Sequence, residues 1–426
     1  MIDDTAVGGS TPPPTFAVPT VRARPAVVTT MVLARLGLML PLSTVISAAL
    51  VLKLQSLMPQ GEVIGTLGLI TSIGALSALF FDPVFGRISD RTMSRFGRRR
   101  PWMIMGMAGL LVALLIMAVA PTALVVGAGW ILAQITANAA IAAHTASIAD
   151  QLPSSQRGKV AGAIGIAQQA ATLGAAYAAQ FFATELLLLF LVPGVIGFLL
   201  VLVYAIMLPD KPRPFPARSV GGIRTALKTF WVNPIKNPDF GLAWWSRFLV
   251  VLANFMFITF RLLWIQHEMD LEPADAVKIM ATGVLVFTIA LIVSGQIAGW
   301  LSDKLGRRKV FIVVSALIFA AGTILLTQTT DPTIFFIAEA IIGVGFGAYV
   351  AVDLALVLDV LPDPEETAKD LGVFNIAMAG PQVVAPALAA WIVGLSSGAN
   401  YDIMLIVAGV IAVIGALLII PVRSVR

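Results

Sequence analysis

"GRISDRTMSRFGRRR", residues 86–100, and "GWLSDKLGRRK", residues 299–309, carry one signature twice in the same order. Gly86, Ser89 and Asp90 match Gly299, Ser302 and Asp303 at an offset of 213 residues. Four extra residues in the first copy change the offset to 209, at which Gly97 matches Gly306. "DQLP" at Asp150–Pro153 then matches "DVLP" at Asp359–Pro362. Upstream, "ARLG" around Arg35 is mirrored by "SRFL" around Arg247 at an offset of 212. One shift of register inside one loop accounts for the whole series. Such an ordered set predicts two related halves in parallel orientation.

The surroundings of the two stretches explain why their charge is so concentrated. Of 426 residues 58% are hydrophobic and only 12% charged, with a mean hydropathy of +0.94, whereas soluble domains carry about 25% charged residues. A chain this apolar needs hydrocarbon as solvent and is expected to be an integral, multi-pass membrane protein. The net charge of +5 does not point to nucleic acid, because the basic residues sit in short loops beside apolar spans, as membrane topology requires. With no cysteine, disulfides, thiol catalysis and Cys-ligated metals are excluded. Two histidines, His144 and His267, make a multi-histidine metal site improbable on composition, and neither a metal nor a cofactor is expected.

Runs long enough to span ~30 Å of hydrocarbon fall at about 27–52, 62–84, 101–120, 122–149, 160–183, 186–208, 241–265, 277–300, 310–328, 333–358, 371–395 and 402–421. The expected fold is therefore all-α: twelve transmembrane helices in two pseudo-symmetric six-helix bundles, 27–208 and 241–421. With the N-terminus inside, 23 of the 28 Lys and Arg fall in cytoplasmic loops or tails, which places both termini in the cytoplasm. Residues 1–26, rich in Pro, Gly and Thr, read as a disordered cytoplasmic tail, 209–240 as a cytoplasmic linker with six Lys/Arg, and 422–426 as a second short tail. The expected location is the plasma (inner) membrane.

The architecture, with the motif between helices 2 and 3 and again between 8 and 9, resembles the major facilitator superfamily. The family pattern is G-x-x-x-D-[RK]-x-G-[RK]-[RK]; Gly299 to Arg308 fits it closely, and the first copy departs by its four-residue insertion. The likeness covers about residues 27–421. The loop "SDRTMSRFGRRRP" is more similar to that of the sucrose–proton symporters of plants, their animal relatives and the glycoside–cation symporters. In the family, these loop groups form an inner latch that holds one conformation and breaks in another. The resemblance carries that role to Gly86, Asp90, Arg91, Arg98, Asp150, Gly299, Asp303, Arg307 and Asp359. A plainer alternative is that the arginines only fix topology.

The resemblance also implies that helices 1, 4, 7 and 10 line a central cavity. Charged residues inside spans are costly and are functional candidates. Arg35 and His144, with Arg247 and Asp353, fall in one layer as symmetric pairs, suited to proton coupling: a carboxylate can exchange an arginine partner for a proton, and His144 is a second titratable candidate. A permanent Arg247–Asp353 ion pair is the alternative. Nearer the outside, Trp130, Gln134 and Asn138 share a helix face at spacings of four. Arg261 is positioned to pair with Glu339 on helix 10. An aromatic plane beside amides and charged hydrogen-bonders suits a sugar, and Asn375 and Gln382 on helix 11 are further substrate candidates. Trp244 and Trp245 read as interface anchors, and "AGAIGIAQQAATLGAA" in helix 5 as close helix packing. That helix lacks the Gly-Pro core of the superfamily's drug–proton antiporters.

These readings predict a monomeric secondary transporter working by alternating access, with a small-molecule substrate, the lipid bilayer and a coupling ion, H+, as its partners. Proton-coupled symport of a sugar or glycoside leads; efflux of a drug or metabolite and a transport-like sensor remain as alternatives. No phosphate-binding Gly-Lys loop, Ser-His-acid set or HExxH motif supports an enzyme.

Overall fold

The computed structural model describes residues 20–210, 237–360, 367–395 and 399–423; the side chains of Leu354, Leu358, Asp359 and 367–372 lie outside that description. Among the described residues there are twelve long helices: α1 (Pro25–Gln55), α2 (Gln60–Arg91), α3 (Arg100–Val119), α4 (Ala123–Gln151), α5 (Ser154–Phe182), α6 (Leu186–Met207), α7 (Pro238–Glu268), α8 (Pro273–Leu305), α9 (Arg308–Leu326), α10 (Pro332–Asp359), α11 (Thr367–Val393) and α12 (Tyr401–Leu417). Ten are individually long and apolar enough to cross a membrane. α5 is the exception in composition, since Gln, Ser, Arg and Lys interrupt its apolar residues, and α12 is the exception in length, at 17 residues.

The helices start and stop where the chain dictates. Proline occupies the first turn of α1, α3, α7, α8 and α10, where its missing N–H is no loss. Asp331 caps α10 by accepting from the backbone amides of Thr333 and Ile334, and these donors hold its carboxyl below the ordinary carboxylate range. Gly306 ends α8 in the left-handed conformation. Prolines 41, 193, 381 and 386 all lie inside continuous helices. In α1 the ladder widens to a π-turn at Val45–Ala49, one turn beyond Pro41.

Packing repeats between the halves. In the first, α1 packs on α5 and α6, α2 on α4, and α3 on α4 and α6; in the second, α7 packs on α11 and α12, α8 on α10, and α9 on α10 and α12. Across the halves α2 meets α11 and α5 meets α8, again a symmetric pair of contacts. Within each half some helices touch backbone to backbone. A Cβ at Gly37 would come within 2.7 Å of the Gly197 carbonyl, and one at Gly347 would run into the Leu291 carbonyl, so only glycine permits these approaches.

The halves are joined at the end away from the termini, called here the outer end. Leu50, Leu54, Val63 and Leu67 share one apolar core with Trp264, Ile265, Ala389 and Ala390. Gly68 of α2 sits against Pro386 and Ala390 of α11, where a Cβ would fall 2.5 Å from that of Ala390. The amides of Gln55 (α1) and Gln266 (α7) bond at 2.5 Å, and the backbone N–H of Ala387 donates to Ser72 Oγ at 3.1 Å. Toward the inner end the same two helices diverge in environment: Asp82, Pro83 and Arg87 on α2 and Asn375 and Met378 on α11 are exposed. This is an inward-open arrangement.

Candidate functional site

The deepest charges lie where α7 and α10 face each other in the second half. Arg247 donates through Nε to Asp353 Oδ2 at 2.7 Å, and its Nη2 is also paired with that carboxylate. Tyr349, one turn earlier on α10, donates to Asp353 Oδ1 at 3.3 Å, and the guanidinium lies 4.9 Å from the Phe374 ring of α11. Arg247 is 9% and Asp353 5% exposed. A pair this buried is held by geometry: two guanidinium nitrogens on one carboxylate oxygen, a phenol on the other and a ring beside the cation.

The first half does not repeat it. His144, at the position corresponding to Asp353, is fully buried, and its Nε2 contacts the Met31 carbonyl at 2.9 Å while its Nδ1 has no protein partner. That is the geometry of a neutral imidazole donating through Nε2. It makes no hydrogen bond with Arg35, whose Nη2 donates instead to Gln168 Oε1 of α5 at 3.1 Å. The acid that acts on Arg35 electrostatically is Asp82 of α2, with no direct ion pair between them. Sequence reasoning did not single out Asp82, which stood two residues inside the expected end of helix 2 at 84. The helix runs to Arg91, which puts Asp82 about 13 Å from its inner end at ~1.5 Å per residue. It likewise read the α5 run as tight packing throughout. Ala167, Ala171, Ala175 and Ala176 are buried, but a Cβ on Gly158, Gly162 or Gly165 would meet nothing within 4 Å, and Gln168 is exposed. On the inner part of α5 packing is confined to residues such as Val160 and Ile164, while the glycine and Gln168 positions stay open.

Nearer the outer end, Arg261 Nε and Glu339 Oε1 lie 3.1 Å apart, 5% and 0% exposed. The contact is ionic but misaligned for a hydrogen bond, and both Glu339 oxygens lack hydrogen-bond donors in the protein. Phe257 and Phe287 face the guanidinium at 4.9 and 5.4 Å. Trp130, the symmetry mate of Glu339, is 1% exposed and packs its indole edge over Gly74 of α2. Gln134 and Asn138 are buried beside it, with Asn138 donating to the Gln134 carbonyl at 2.8 Å. In this inward-open state the outer polar set is thus enclosed within the two halves and not presented to the cavity. Asn375 is exposed on α11, and Gln382 bonds the Met378 carbonyl of its own helix. Trp244 is no surface anchor: its Nε1 donates to the Val373 carbonyl at 2.9 Å, and Trp245, half exposed, is left at the boundary.

On the inner rim, Arg98 binds Asp150 at 2.7 Å, but the central residue is Arg99. It donates to Asp150 at 3.0 Å, Asp90 at 2.5 Å and Ser89 Oγ at 2.6 Å while only 3% exposed. Asp210, just after α6, accepts from the backbone N–H groups of Arg99 and Arg100 at 2.6 and 3.0 Å. Gly97, with φ +105°, makes the turn that brings them there. Arg91 is exposed and takes no part among these contacts, and Gly86 meets nothing within 4 Å of a Cβ. In the second half Arg308, the mate of Arg99, lies 3.6 Å from Asp303 and bonds the Ala355 carbonyl, while Arg307 is exposed. Gly299 lies 3.7 Å from Ala351 by the same measure. Arg99 and Arg308 therefore replace Arg91 and Arg307 as the arginines in these clusters. The Asp359 side chain lies outside the described residues.

A family model described as Major Facilitator Superfamily matches residues 27–298 and 274–426. The uncharacterized MFS-type transporter YfiU of Bacillus subtilis (strain 168) is 31% identical over 106 residues, which are 24% of this chain; the match spans only 20% of that relative's own length. Among solved structures, the nucleoside transporter NupG superposes with a TM-score of 0.71 at 14% identity, covering 92% of this chain and 98% of its own. A bacterial homologue of the human lysosomal transporter Spinster, inward-facing and unoccupied, gives 0.66 at 14% identity over 93% and 97%. At such identities the likeness is one of fold. With the family match running along nearly the whole membrane region and the paired six-helix architecture beneath it, the chain belongs to the Major Facilitator Superfamily and is a secondary transporter, not an enzyme.

Proposed function

We propose that this transporter is a proton-coupled symporter of a sugar or glycoside, monomeric in the plasma membrane with both termini in the cytoplasm. The observation that carries the coupling is the buried Arg247–Asp353 pair with Tyr349 on its second oxygen. A carboxylate held this way is an exchange site, neutralised by the guanidinium in one state and by a proton in another. Arg35, with Gln168 and Asp82 beside it, supplies polar groups from the opposite half. Residues 27–208 and 241–421 are the rocking units and 209–240 the cytoplasmic tether. Asp90, Arg98, Arg99 and Asp150, with Asp303 and Arg308, brace the inner rim of each half, and their contacts are made while the outer end is shut. Trp130, Gln134, Asn138, Arg261 and Glu339 become substrate contacts only when the outer end opens. The similarity of the first loop to sucrose–proton symporters supports the sugar assignment.

Reconstitution into liposomes tests this reading. Labelled sucrose, a simple glycoside and uridine are offered with and without an imposed inward proton gradient. Accumulation of a sugar that collapses with the gradient is expected. Uptake of uridine alone would move the substrate class to nucleosides, and gradient-driven extrusion would make the protein an exporter.

A further inference from the structure

We infer a second, external binding site for a small neutral polar solute, formed only while the outer end is shut. Its basis is a cavity of about 240 Å³ at the outer mouth, lined from the first half by Gln55, Gln60, Val63 and Ile64 and from the second by Leu263, Gln266, His267 and Tyr401. At ~30 Å³ per water this holds roughly eight waters, the space of a single-ring solute. Three amides, an imidazole and a phenol converge on it, beside short apolar walls. Such a lining satisfies hydroxyls and carbonyls and grips one ring face, and it contains no Lys, Arg, Asp or Glu to select a charged ligand. The solute class follows from this lining alone and does not depend on what the central site carries.

The cavity belongs to the seam. Gln55 and Gln266, two of its lining residues, are the amides that bond the halves together at 2.5 Å, with the reverse contact at 3.5 Å. His267 follows Gln266 in α7, stands 5.3 Å from the Tyr401 ring, and is tied to Glu268 at 3.0 Å. Because both halves contribute walls, separating α1 from α7 takes the site apart. A solute bound there prefers the closed seam, and by linkage it opposes outward opening. External solute at high concentration therefore slows the return of the empty carrier, giving uptake that rises and then falls with concentration.

Absence of native cysteine makes the test direct. Gln60→Cys places one thiol on the exposed lip of the cavity, and Lys278→Cys places one on the exposed outer end of α8, away from it. Each full-length variant in proteoliposomes is labelled from outside by a membrane-impermeant maleimide, without solute and with D-glucose, myo-inositol or uridine at high concentration outside. Slowing of the Gln60→Cys reaction at least threefold by one of the three, with Lys278→Cys unchanged, is expected. A Gln60→Cys rate that none of the three slows relative to the solute-free reaction, or equal slowing at both positions, overturns the site. Protection without transport of the same solute leaves this site standing and counts against the symport reading, whereas sugar transport without protection does the reverse.

Discussion

In the second half, an arginine of α7 and a carboxylate of α10 meet inside the bundle. In the first, the corresponding arginine of α1 binds an amide on α5, and the corresponding position of α4 holds a histidine bonded to a backbone carbonyl. At the inner rim the loop carboxylate lies 2.5 Å from its arginine in the first half (Asp90–Arg99) and 3.6 Å in the second (Asp303–Arg308). Duplication supplied one scaffold, and the halves fill equivalent positions with different chemistry.

The contrast is broken most severely at Asp353. Asp353→Asn leaves Arg247 buried without its counter-charge, a loss of about 3–5 kcal/mol, and accumulation against a gradient should vanish. Melting of the purified protein and gradient-driven uptake measure the two effects. Adding Arg247→Gln should restore most of the melting temperature but none of the accumulation; if the single variant accumulates normally, the pair is only structural. Next comes Asp82→Asn, which weakens the field on Arg35 and should lower accumulation several-fold with little change in melting, because Asp82 is exposed. A loss as complete as that of Asp353→Asn would make the halves equivalent. At the rim, exposed carboxylates contribute ~1 kcal/mol or less. Asp90→Asn, which removes the shorter of the two contacts, should still slow turnover more than Asp303→Asn at equal surface expression, and the opposite order would separate contact length from function at the rim. The smallest effect is expected for His144→Gln, which keeps an N–H for the Met31 carbonyl and should cost on the order of 1 kcal/mol. Its pH profile of uptake should superimpose on that of the parent, and a displaced profile would return His144 to the coupling machinery.

Much of this arrangement was legible before any coordinates. Register matches at 213 and 209 residues located both halves and the rim motifs, because helix-to-helix spacing is preserved when a bundle is duplicated. The pairings Arg247–Asp353 and Arg261–Glu339 followed from depth along α7 and α10, since an unpaired charge in hydrocarbon is too costly to leave alone. Which arginine of a run points inward did not follow. Arg98, Arg99 and Arg100 are adjacent, and the choice of Arg99 depends on the φ +105° turn at Gly97 and on Asp210 arriving from α6. Asp82 was not singled out although the expected span contains it: it stood two residues from the expected limit of 84, whereas the helix itself continues seven residues beyond that limit. For His144, too, sequence gives the depth but not the Met31 carbonyl across the helix gap.

The backbone contacts Gly37–Gly197 and Gly347–Leu291 lie inside the halves, whereas the outer seam joins them through an apolar core, two amides, one serine and the single close approach of Gly68 to the Pro386 carbonyl. Main chains in van der Waals contact have no soft layer to shear, so each six-helix unit is stiff and the compliance of the molecule is confined to a thin band between them. Cargo would then be moved by a tilting of two solid blocks, and a substitution that wedges open an intra-unit glycine contact should soften a block and waste the stroke without touching any charged residue.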